Sequence, residues 1–258
     1  MLIPFRKMQA QGNDFIILLL TGQKESRLSL EALAMDICDR RKGAGADGLV
    51  LLLDDPEADA RMTIFNSDGS RAEMCGSALR CCSRLVYEIT GRTELSIATD
   101  DGIKTASIAN DCVEVNMGKP DLFYADKRVA EVRGSLVGVG NLHFVSFWEN
   151  LVDQEYKYGP VLERHPDFPG EVNSQFVRVI GRGEIELRIW ERGCGTTQAC
   201  GTGAVASVFC GIGKDLLDNE VKVNMPGGNV CVRYQDNGEF ILAGSVEHVY
   251  SGVYRWKI

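Results

Sequence analysis

The chain carries the same ordered set of short motifs twice. Four pairs of features recur in the same order at a spacing of 125 to 128 residues: Cys75-Gly76 and Cys200-Gly201, Gly12-Asn13 and Gly140-Asn141, Gly102 and Gly228, and Gly118 and Gly244. A nearly constant spacing over four features predicts an internal duplication, although few residues are identical between the halves. We therefore expect two similar lobes rather than one unrepeated domain.

Each half shows the same order of predicted elements. An opening strand and turn (residues 5–20; 137–148) come before a short strand (61–65; 184–190), and a helix follows each repeated cysteine (77–88; 202–212). The helices place apolar residues at i, i+3 and i+4, which is typical of one buried face. We predict an α+β fold of two pseudo-symmetric lobes that enclose a cleft. Residues 1–120, joined by a C-terminal strand at about 247–258, form the first lobe, and residues 121–246 form the second.

Charge and hydropathy exclude two classes of partner. The formal net charge of −8 lacks the positive patch that a nucleic-acid-binding protein needs. The apolar run at residues 15–20 is far too short to span a bilayer. The polar residues before this run and the missing cleavage pattern argue against a signal peptide. We expect a cytoplasmic protein with a small-molecule ligand, and the residues do not decide whether it forms a homodimer.

The nine cysteines are an odd number and favour reduced thiols over a disulfide framework. A zinc site is the first alternative, but Cys75/Cys81 and Cys194/Cys200 leave five residues between the thiols, a wider spacing than structural zinc sites use. We therefore predict no metal. Most of the cysteines are interpreted as small buried residues: Cys38, Cys82, Cys112, Cys210 and Cys231.

Cys75 and Cys200 differ from the others because each precedes a predicted helix. Unpaired N–H groups and the helix dipole make a helix start favourable for a carboxylate, and the same field lowers the pKa of a thiol. Two such thiols facing one α-carbon would invert it, since one thiolate removes the proton and the opposite thiol returns one. Glycines at positions 76, 201 and 203 are expected to let a ligand approach the backbone closely.

These motifs resemble the diaminopimelate epimerase family, whose members need no pyridoxal phosphate. The matching segments run along the whole chain: Gly12-Asn13-Asp14-Phe15, Gly45-Ala46-Asp47-Gly48, Asn66-Ser67-Asp68-Gly69-Ser70, Met74-Cys75-Gly76, Gly140-Asn141, Glu191 to Thr196, and Ala199 to Ala204. The resemblance implies two lobes, each a curved, mainly antiparallel sheet around a central helix. It also implies the cofactor-independent conversion of LL-diaminopimelate to the meso form.

The resemblance assigns roles to matching positions. Cys75 and Cys200 would be the two acid/base residues, with His143 orienting the neighbourhood of a cysteine. The residues expected to contact substrate are Asn13, Asn66, Gly76, Ser77, Asn141, Asn173, Glu191, Arg192, Gly201 and Thr202. Gly76, Ser77, Gly201 and Thr202 would bind the reacting carboxylate through their amides. Asn66 and Glu191 would bracket the ammonium, while Asn66, Asn141, Asn173 and Arg192 would hold the distal end.

The chain departs from the family pattern at Ser77-Ala78, Leu142 and Ser174-Gln175. These departures concern the choice of substrate, so racemisation of another amino acid by the same thiols stays open. A Cys–His hydrolase or transferase using Cys200 and His143 and a non-catalytic amino-acid-binding protein are further alternatives. Neither has a use for two matched cysteines. A Schiff-base lysine has no reliable local signature, so only the resemblance argues against pyridoxal phosphate.

Overall fold

The computed structural model describes residues 1–20 and 29–256, and within these residues the chain forms four helices and eighteen strands. The helices are α1 (Leu30–Ile37), α2 (Gly76–Thr90), α3 (Gln154–Glu163) and α4 (Gly201–Gly213). No described helix has both the length and the apolar character required to cross a membrane.

The strands are short and account for most of the regular structure. In chain order they are β1 (Leu2–Ala10), β2 (Asn13–Leu19), β3 (Gly48–Leu53), β4 (Ala60–Asn66), β5 (Arg71–Ala72), β6 (Glu94–Thr99), β7 (Gly102–Ala109), β8 (Cys112–Asn116), β9 (Asp121–Val129), β10 (Val132–Val139), β11 (Asn141–Phe147), β12 (Asn173–Gly181), β13 (Glu184–Glu191), β14 (Gly195–Thr196), β15 (Glu220–Met225), β16 (Gly228–Tyr234), β17 (Phe240–Ser245) and β18 (Glu247–Arg255).

The chain divides into two compact units. Unit 1 comprises Met1–Val115 and Ser245–Ile258, and unit 2 comprises Asn116–Gly244. In unit 1, β1 pairs antiparallel with β18 and β2, β2 runs parallel to β3, and β3 pairs antiparallel with β4. β4 then pairs antiparallel with β5 and parallel with β6, and β6, β7 and β8 continue as an antiparallel meander.

Unit 2 repeats this order of pairings. β10 pairs antiparallel with β9 and β11, β11 runs parallel to β12, and β12 pairs antiparallel with β13. β13 pairs antiparallel with β14 and parallel with β15, followed by the antiparallel pairs β15–β16 and β16–β17. The same two parallel pairings interrupt an otherwise antiparallel sheet in both units. The predicted duplication of an α+β unit is therefore confirmed.

α2 packs against the sheet of unit 1. Its residues from Gly76 to Val86 are buried except Arg84, and it packs against β1, β2, β4, β6 and β7. Cys75 precedes the helix in an extended conformation (φ −145°, ψ 119°), and Gly91 ends it in the left-handed region at φ 74°. Each fully buried leucine side chain on this helix contributes about 1.5–3 kcal/mol. The predicted helix 77–88 is confirmed, with a start one residue earlier and an end two residues later.

α4 occupies the same place in unit 2. It begins at Gly201 after Cys200 (φ −139°, ψ 108°) and packs against β10, β11, β12 and β16. Ten of its residues are buried, so this helix is apolar on nearly every side. The predicted helix 202–212 is confirmed, with one more residue at each end. Both repeated cysteines therefore stand at the N-terminus of a buried helix.

Two helices were not predicted from the sequence. α1 is only eight residues long, and α3 contains Gly159 and Pro160, which are poor helix formers. Gly159 is required by packing, because a Cβ there would come within 2.4 Å of the Trp190 ring. The predicted C-terminal strand at about 247–258 corresponds to β18, and residues 257 and 258 lie outside the described residues.

Candidate active site

Cys75 lies at the N-terminus of α2 with its thiol partly exposed. The side-chain amide of Asn13 donates to its Sγ over 3.9 Å. The two-residue turn between β1 and β2, with Gln11 and Gly12 at φ 52° and 81°, sets the direction of Asn13. A helix leaves its first N–H groups without an acceptor of its own, so Gly76 and its neighbours offer donors beside the thiol.

An ion-pair network fixes the strand that carries Asn13. Asp14 accepts hydrogen bonds from both terminal nitrogens of Arg40 (2.7 and 3.1 Å), and Lys7 lies 2.8 Å from the same carboxylate. Burial raises the pKa of Asp14, but the hydrogen bonds from Arg40 and Lys7 outweigh burial and hold it below its usual value. Asp47 bonds to the backbone of Asp14, so the segment Gly45-Ala46-Asp47-Gly48 has a structural role here.

Asn66, the last residue of β4, forms a tight turn. Its side-chain Nδ2 donates to Ser70 Oγ over 2.9 Å, and its backbone N–H donates to the Ser70 carbonyl over 2.8 Å. Gly69 within this turn has φ 85°, a conformation that glycine adopts without strain. The turn leads through β5 to Cys75.

Cys200 is more deeply buried than Cys75. Only 5% of its surface is exposed, and its Sγ lies 3.4 Å from Thr202 Oγ1 in the first turn of α4. Gly201 and Thr202 have N–H groups at the free start of the helix, as Gly76 and Ser77 do in unit 1. Both helix starts thus offer backbone N–H donors beside a cysteine.

A buried polar cluster lies against α4. His143 Nδ1 and Gln175 Nε2 are 3.0 Å apart, and both side chains are fully buried. Burial lowers the pKa of His143 to about 3, so its imidazole is neutral. The amide of Gln175 fills the space beside Gly203, since a Cβ there would come within 2.6 Å of it. Gly203 is therefore required by packing, and the expectation that it also lets a ligand approach the backbone stays a prediction.

The turn after β13 is held by side chains of unit 2. Asn173 accepts from the backbone N–H of Arg192 (3.0 Å) and donates to the carbonyl of Leu142 (3.1 Å). Glu163 accepts from Trp190 Nε1 (2.6 Å) and from the N–H of Gly193 (3.0 Å).

The two charged residues of this turn differ in exposure. Glu191 is half-buried and accepts from Thr197 Oγ1 over 2.5 Å. Arg192 is exposed, and its Nη1 donates to the carbonyl of Gly170 over 3.0 Å. Asn141 begins β11 directly after Gly140, which has φ 73°.

Four buried thiols away from the helix starts have raised pKa values. Burial raises the pKa of Cys38, Cys81 and Cys210 to about 12, and that of Cys82 well above its usual value. These thiols stay protonated at neutral pH. Among the described residues, no group of three or more His, Cys, Asp or Glu side chains is arranged to hold a metal ion.

The structure brings several predicted residues together within each unit: Asn13 with Cys75, Thr202 with Cys200, and Asn173 with Arg192. Sequence reasoning missed Gln175 and Glu163, whose partners come from other strands or helices. It also missed Arg80, which is fully buried. No sequence signal marked Arg80, because it lies off the apolar stripe of the predicted helix 77–88.

Comparison with known proteins gives a consistent result. The family model described as "Diaminopimelate epimerase" matches residues 5–123 and 135–249. A protein of Desulforudis audaxviator named diaminopimelate epimerase is 40% identical over 274 residues, which cover 97% of this chain and 98% of that protein. A protein of the same name from Carboxydothermus hydrogenoformans is 40% identical over 272 residues, covering 98% and 99% of the two chains. The resemblance predicted from the motifs is confirmed.

The fold also matches solved structures. A phenazine biosynthesis protein of the PhzF family from Bacillus anthracis superposes with a TM-score of 0.78 over 99% of this chain and 100% of that one. The two sequences are 16% identical, so this likeness shows the fold alone. The predicted fold class is confirmed by this comparison as well as by the repeated strand order.

Proposed function

The chain belongs to the diaminopimelate epimerase family, and we propose that it converts LL-diaminopimelate to meso-diaminopimelate without a cofactor. The observation that carries the proposal is the pair of cysteines that directly precede buried helices at equivalent places in two repeated units. A single thiol at a helix start is common, whereas a matched pair suits a reaction that needs one base and one acid. Relatives that bear this name match over nearly their whole length.

Inversion proceeds by proton transfer on two faces of the α-carbon. One thiolate accepts the α-proton, and the electron pair left behind delocalises into the carboxylate, which gains enolate character. The other thiol donates its proton to the opposite face, so each turnover exchanges the protonation states of Cys75 and Cys200. Amide donors at the two helix starts stabilise the enolate charge, which is the largest electrostatic contribution expected in such a site.

The remaining site residues are proposed to bind the rest of the substrate. Asn66 and Glu191 would contact the ammonium on the reacting carbon, with Asn13 as a further contact. Asn141, Asn173 and Arg192 would hold the distal amino-acid group together with Asn66. Arg192 is exposed and has donors for a carboxylate, which supports its role. The side chains of Asn66 and Asn173 donate hydrogen bonds to Ser70 and Leu142. These bonds hold both side chains in place, which supports their role as substrate contacts.

The departures from the family pattern are compatible with diaminopimelate as the substrate. Ala78, Ser174 and Gln175 are all fully buried, so these substitutions change packing around the helices. Leu142 is half-buried, and its carbonyl accepts from Asn173. Racemisation of a different amino acid remains the competing proposal, with the same two thiols in the same roles.

Proton exchange in heavy water tests the proposal. We expect the enzyme to incorporate solvent deuterium at the α-carbon of LL-diaminopimelate and to form the meso isomer, as measured by NMR and chiral chromatography. Cys75→Ala and Cys200→Ala should each reduce epimerisation by about 100-fold or more, since each removes one acid/base group. Exchange with another amino acid but not with diaminopimelate would establish the competing activity, and full activity of either alanine variant would overturn the two-thiol mechanism.

Two further tests address the cofactor and the oligomeric state. Activity that survives borohydride and is lost on thiol alkylation is expected for an enzyme that uses no pyridoxal phosphate. We also propose a cytoplasmic location, because a reducing compartment keeps nine cysteines as thiols. Light scattering during size-exclusion chromatography distinguishes a monomer from a homodimer.

A further inference from the structure

Arg80 is a fully buried cation on the helix that Cys75 begins. It is the largest side chain of those that expose less than 2% of their surface. Its Nη2 donates to Gln11 Oε1 over 2.7 Å, and its Nε and Nη1 lie 3.4 Å from the carbonyls of Gly76 and Ser245. All three acceptors are neutral oxygens.

Arg80 forms no ion pair with a carboxylate within the described parts of the chain, residues 1–20 and 29–256. Charged residues on strands packed against α2 have other partners: Arg6 with Glu88, Lys7 with Asp14, Arg61 with Asp55, and Lys104 with Asp101. Glu94, on β6, is exposed. Burying a charge without an opposite charge costs several kcal/mol, so Arg80 calls for a functional explanation.

The ionisable groups that bear on Arg80 are thiols. Burial lowers the pKa of Arg80. A negative charge on Cys81, Cys75 or Cys112 acts in the opposite direction and raises it. Cys81 remains a thiol, because burial raises its pKa to about 12. Cys112 lies on β8, and Cys75 is the member of this group that stands at a helix start and receives a hydrogen bond from Asn13.

The geometry directs the charge toward the start of the helix. Arg80 reaches back one turn to the carbonyl of Gly76, the residue that follows Cys75. Its bond to Gln11 also fixes the turn whose next residues are Gly12 and Asn13. Its cation therefore adds to the positive end of the helix dipole and supports the placement of Asn13.

The equivalent position on the helix of the second unit carries no charge. The residue 125 positions after Arg80, at the spacing that separates the two cysteines, is the fully buried Val205. Cys200 has Thr202 Oγ1 at 3.4 Å instead. The two matched thiols therefore differ in whether the helix that follows carries a buried cation.

We infer that Arg80 is a positioning residue that favours the thiolate form of Cys75, and that Cys75 is consequently the base of the resting enzyme while Cys200 holds the proton. The inference rests on the proposed two-thiol function and extends it. Arg80 contacts neither substrate nor the reacting carbon in this scheme. It acts through the charge of Cys75 and through the turn that carries Asn13.

The test measures Cys75 directly rather than through activity. Iodoacetamide alkylation is followed peptide by peptide as a function of pH in wild type, Arg80→Met and Arg80→Lys. Arg80→Met should raise the pH midpoint of Cys75 alkylation by about one unit, a tenfold loss of thiolate near neutral pH, since a nearby opposite charge shifts ionisation by about that much. Arg80→Lys, which keeps the charge, should stay close to wild type. kcat of Arg80→Met should fall about tenfold with KM little changed.

Arg84→Met is the matched control. Arg84 lies one turn further along α2, pairs with Glu88 and is partly exposed, so removing its charge should leave the Cys75 midpoint unchanged. An unchanged midpoint in Arg80→Met would overturn the inference, and so would a shift of equal size in Arg84→Met. The proposed function would stand in either case as long as Cys75→Ala is inactive.

Wild-type protein supplies a test that needs no folded variant at position 80. The inference predicts that Cys75 is alkylated with a lower pH midpoint than Cys200 in substrate-free enzyme. Equal midpoints, or a lower one for Cys200, would overturn it. Full activity of Cys75→Ala would instead refute the proposed function itself, so the two failures are distinguishable.

Discussion

The side-chain amide of Gln175 lies where residue 203 would place a Cβ. An alanine at position 203 would come within 2.6 Å of the carbon, nitrogen and oxygen of that amide, so Gly203 and Gln175 are complementary in size. The same amide bonds to His143 over 3.0 Å. The N-terminal turn of α4, which follows Cys200, therefore packs directly on a buried polar pair.

Gly203→Ala is expected to destabilise the protein by about 1–3 kcal/mol, because Gln175 must move away and its hydrogen bond to His143 is disturbed. Urea denaturation measures the loss. Gly213→Ala is the matched control in the last turn of the same helix, where no atom lies within 4 Å of an added Cβ. That variant should gain up to about 1 kcal/mol from helix propensity. Equal stability of the two variants would refute the size complementarity.

His143 predicts a pH dependence of stability. Burial lowers its pKa to about 3 in the folded protein, whereas the unfolded chain has the ordinary value of 6.5. Below pH 6.5 the unfolded state binds a proton that the folded state does not, so stability is lost as pH falls from 6.5 toward 3. The contribution is about 1.4 kcal/mol per pH unit. His143→Gln should flatten this slope in urea titrations between pH 6.5 and 4, while His248→Gln, at an exposed histidine, should not.

The sequence was sufficient where local patterns decide the structure. Cysteine, small residues and an apolar periodicity predicted both helix starts to within one residue. The pairing of His143 with Gln175 was not predictable, because it depends on the parallel register of β11 and β12, in which His143 lies opposite Asn173. Such a register is set by contacts between distant segments. Arg80 was missed for the same reason, since two of its three acceptors, on Gln11 and Ser245, lie far away in sequence.

Asn13 is expected to tune Cys75. Its amide donates toward the sulfur over 3.9 Å, so Asn13→Ala removes a donor, whereas Asn13→Asp puts a negative charge in its place. Alkylation of Cys75 at pH 7 and kcat should both decrease in the order wild type, Asn13→Ala, Asn13→Asp, with about a tenfold loss for the aspartate. Asn13 is partly exposed, so melting temperatures should change little. A faster alkylation rate in Asn13→Asp than in Asn13→Ala would contradict the electrostatic explanation.

Glu163 is expected to support Arg192 without touching substrate. Its carboxylate is buried and accepts from Trp190 Nε1 and from the N–H of Gly193, directly after Arg192. Glu163→Ala leaves both donors without this acceptor and should cost about 1–3 kcal/mol per lost partner. Because the turn that carries Arg192 loosens, KM for diaminopimelate should rise several-fold more than kcat falls. Glu163→Gln keeps one acceptor oxygen, so its KM should lie between those of wild type and Glu163→Ala. Steady-state kinetics of folded variants decide the point, and a change in kcat alone would place Glu163 in the chemical step instead.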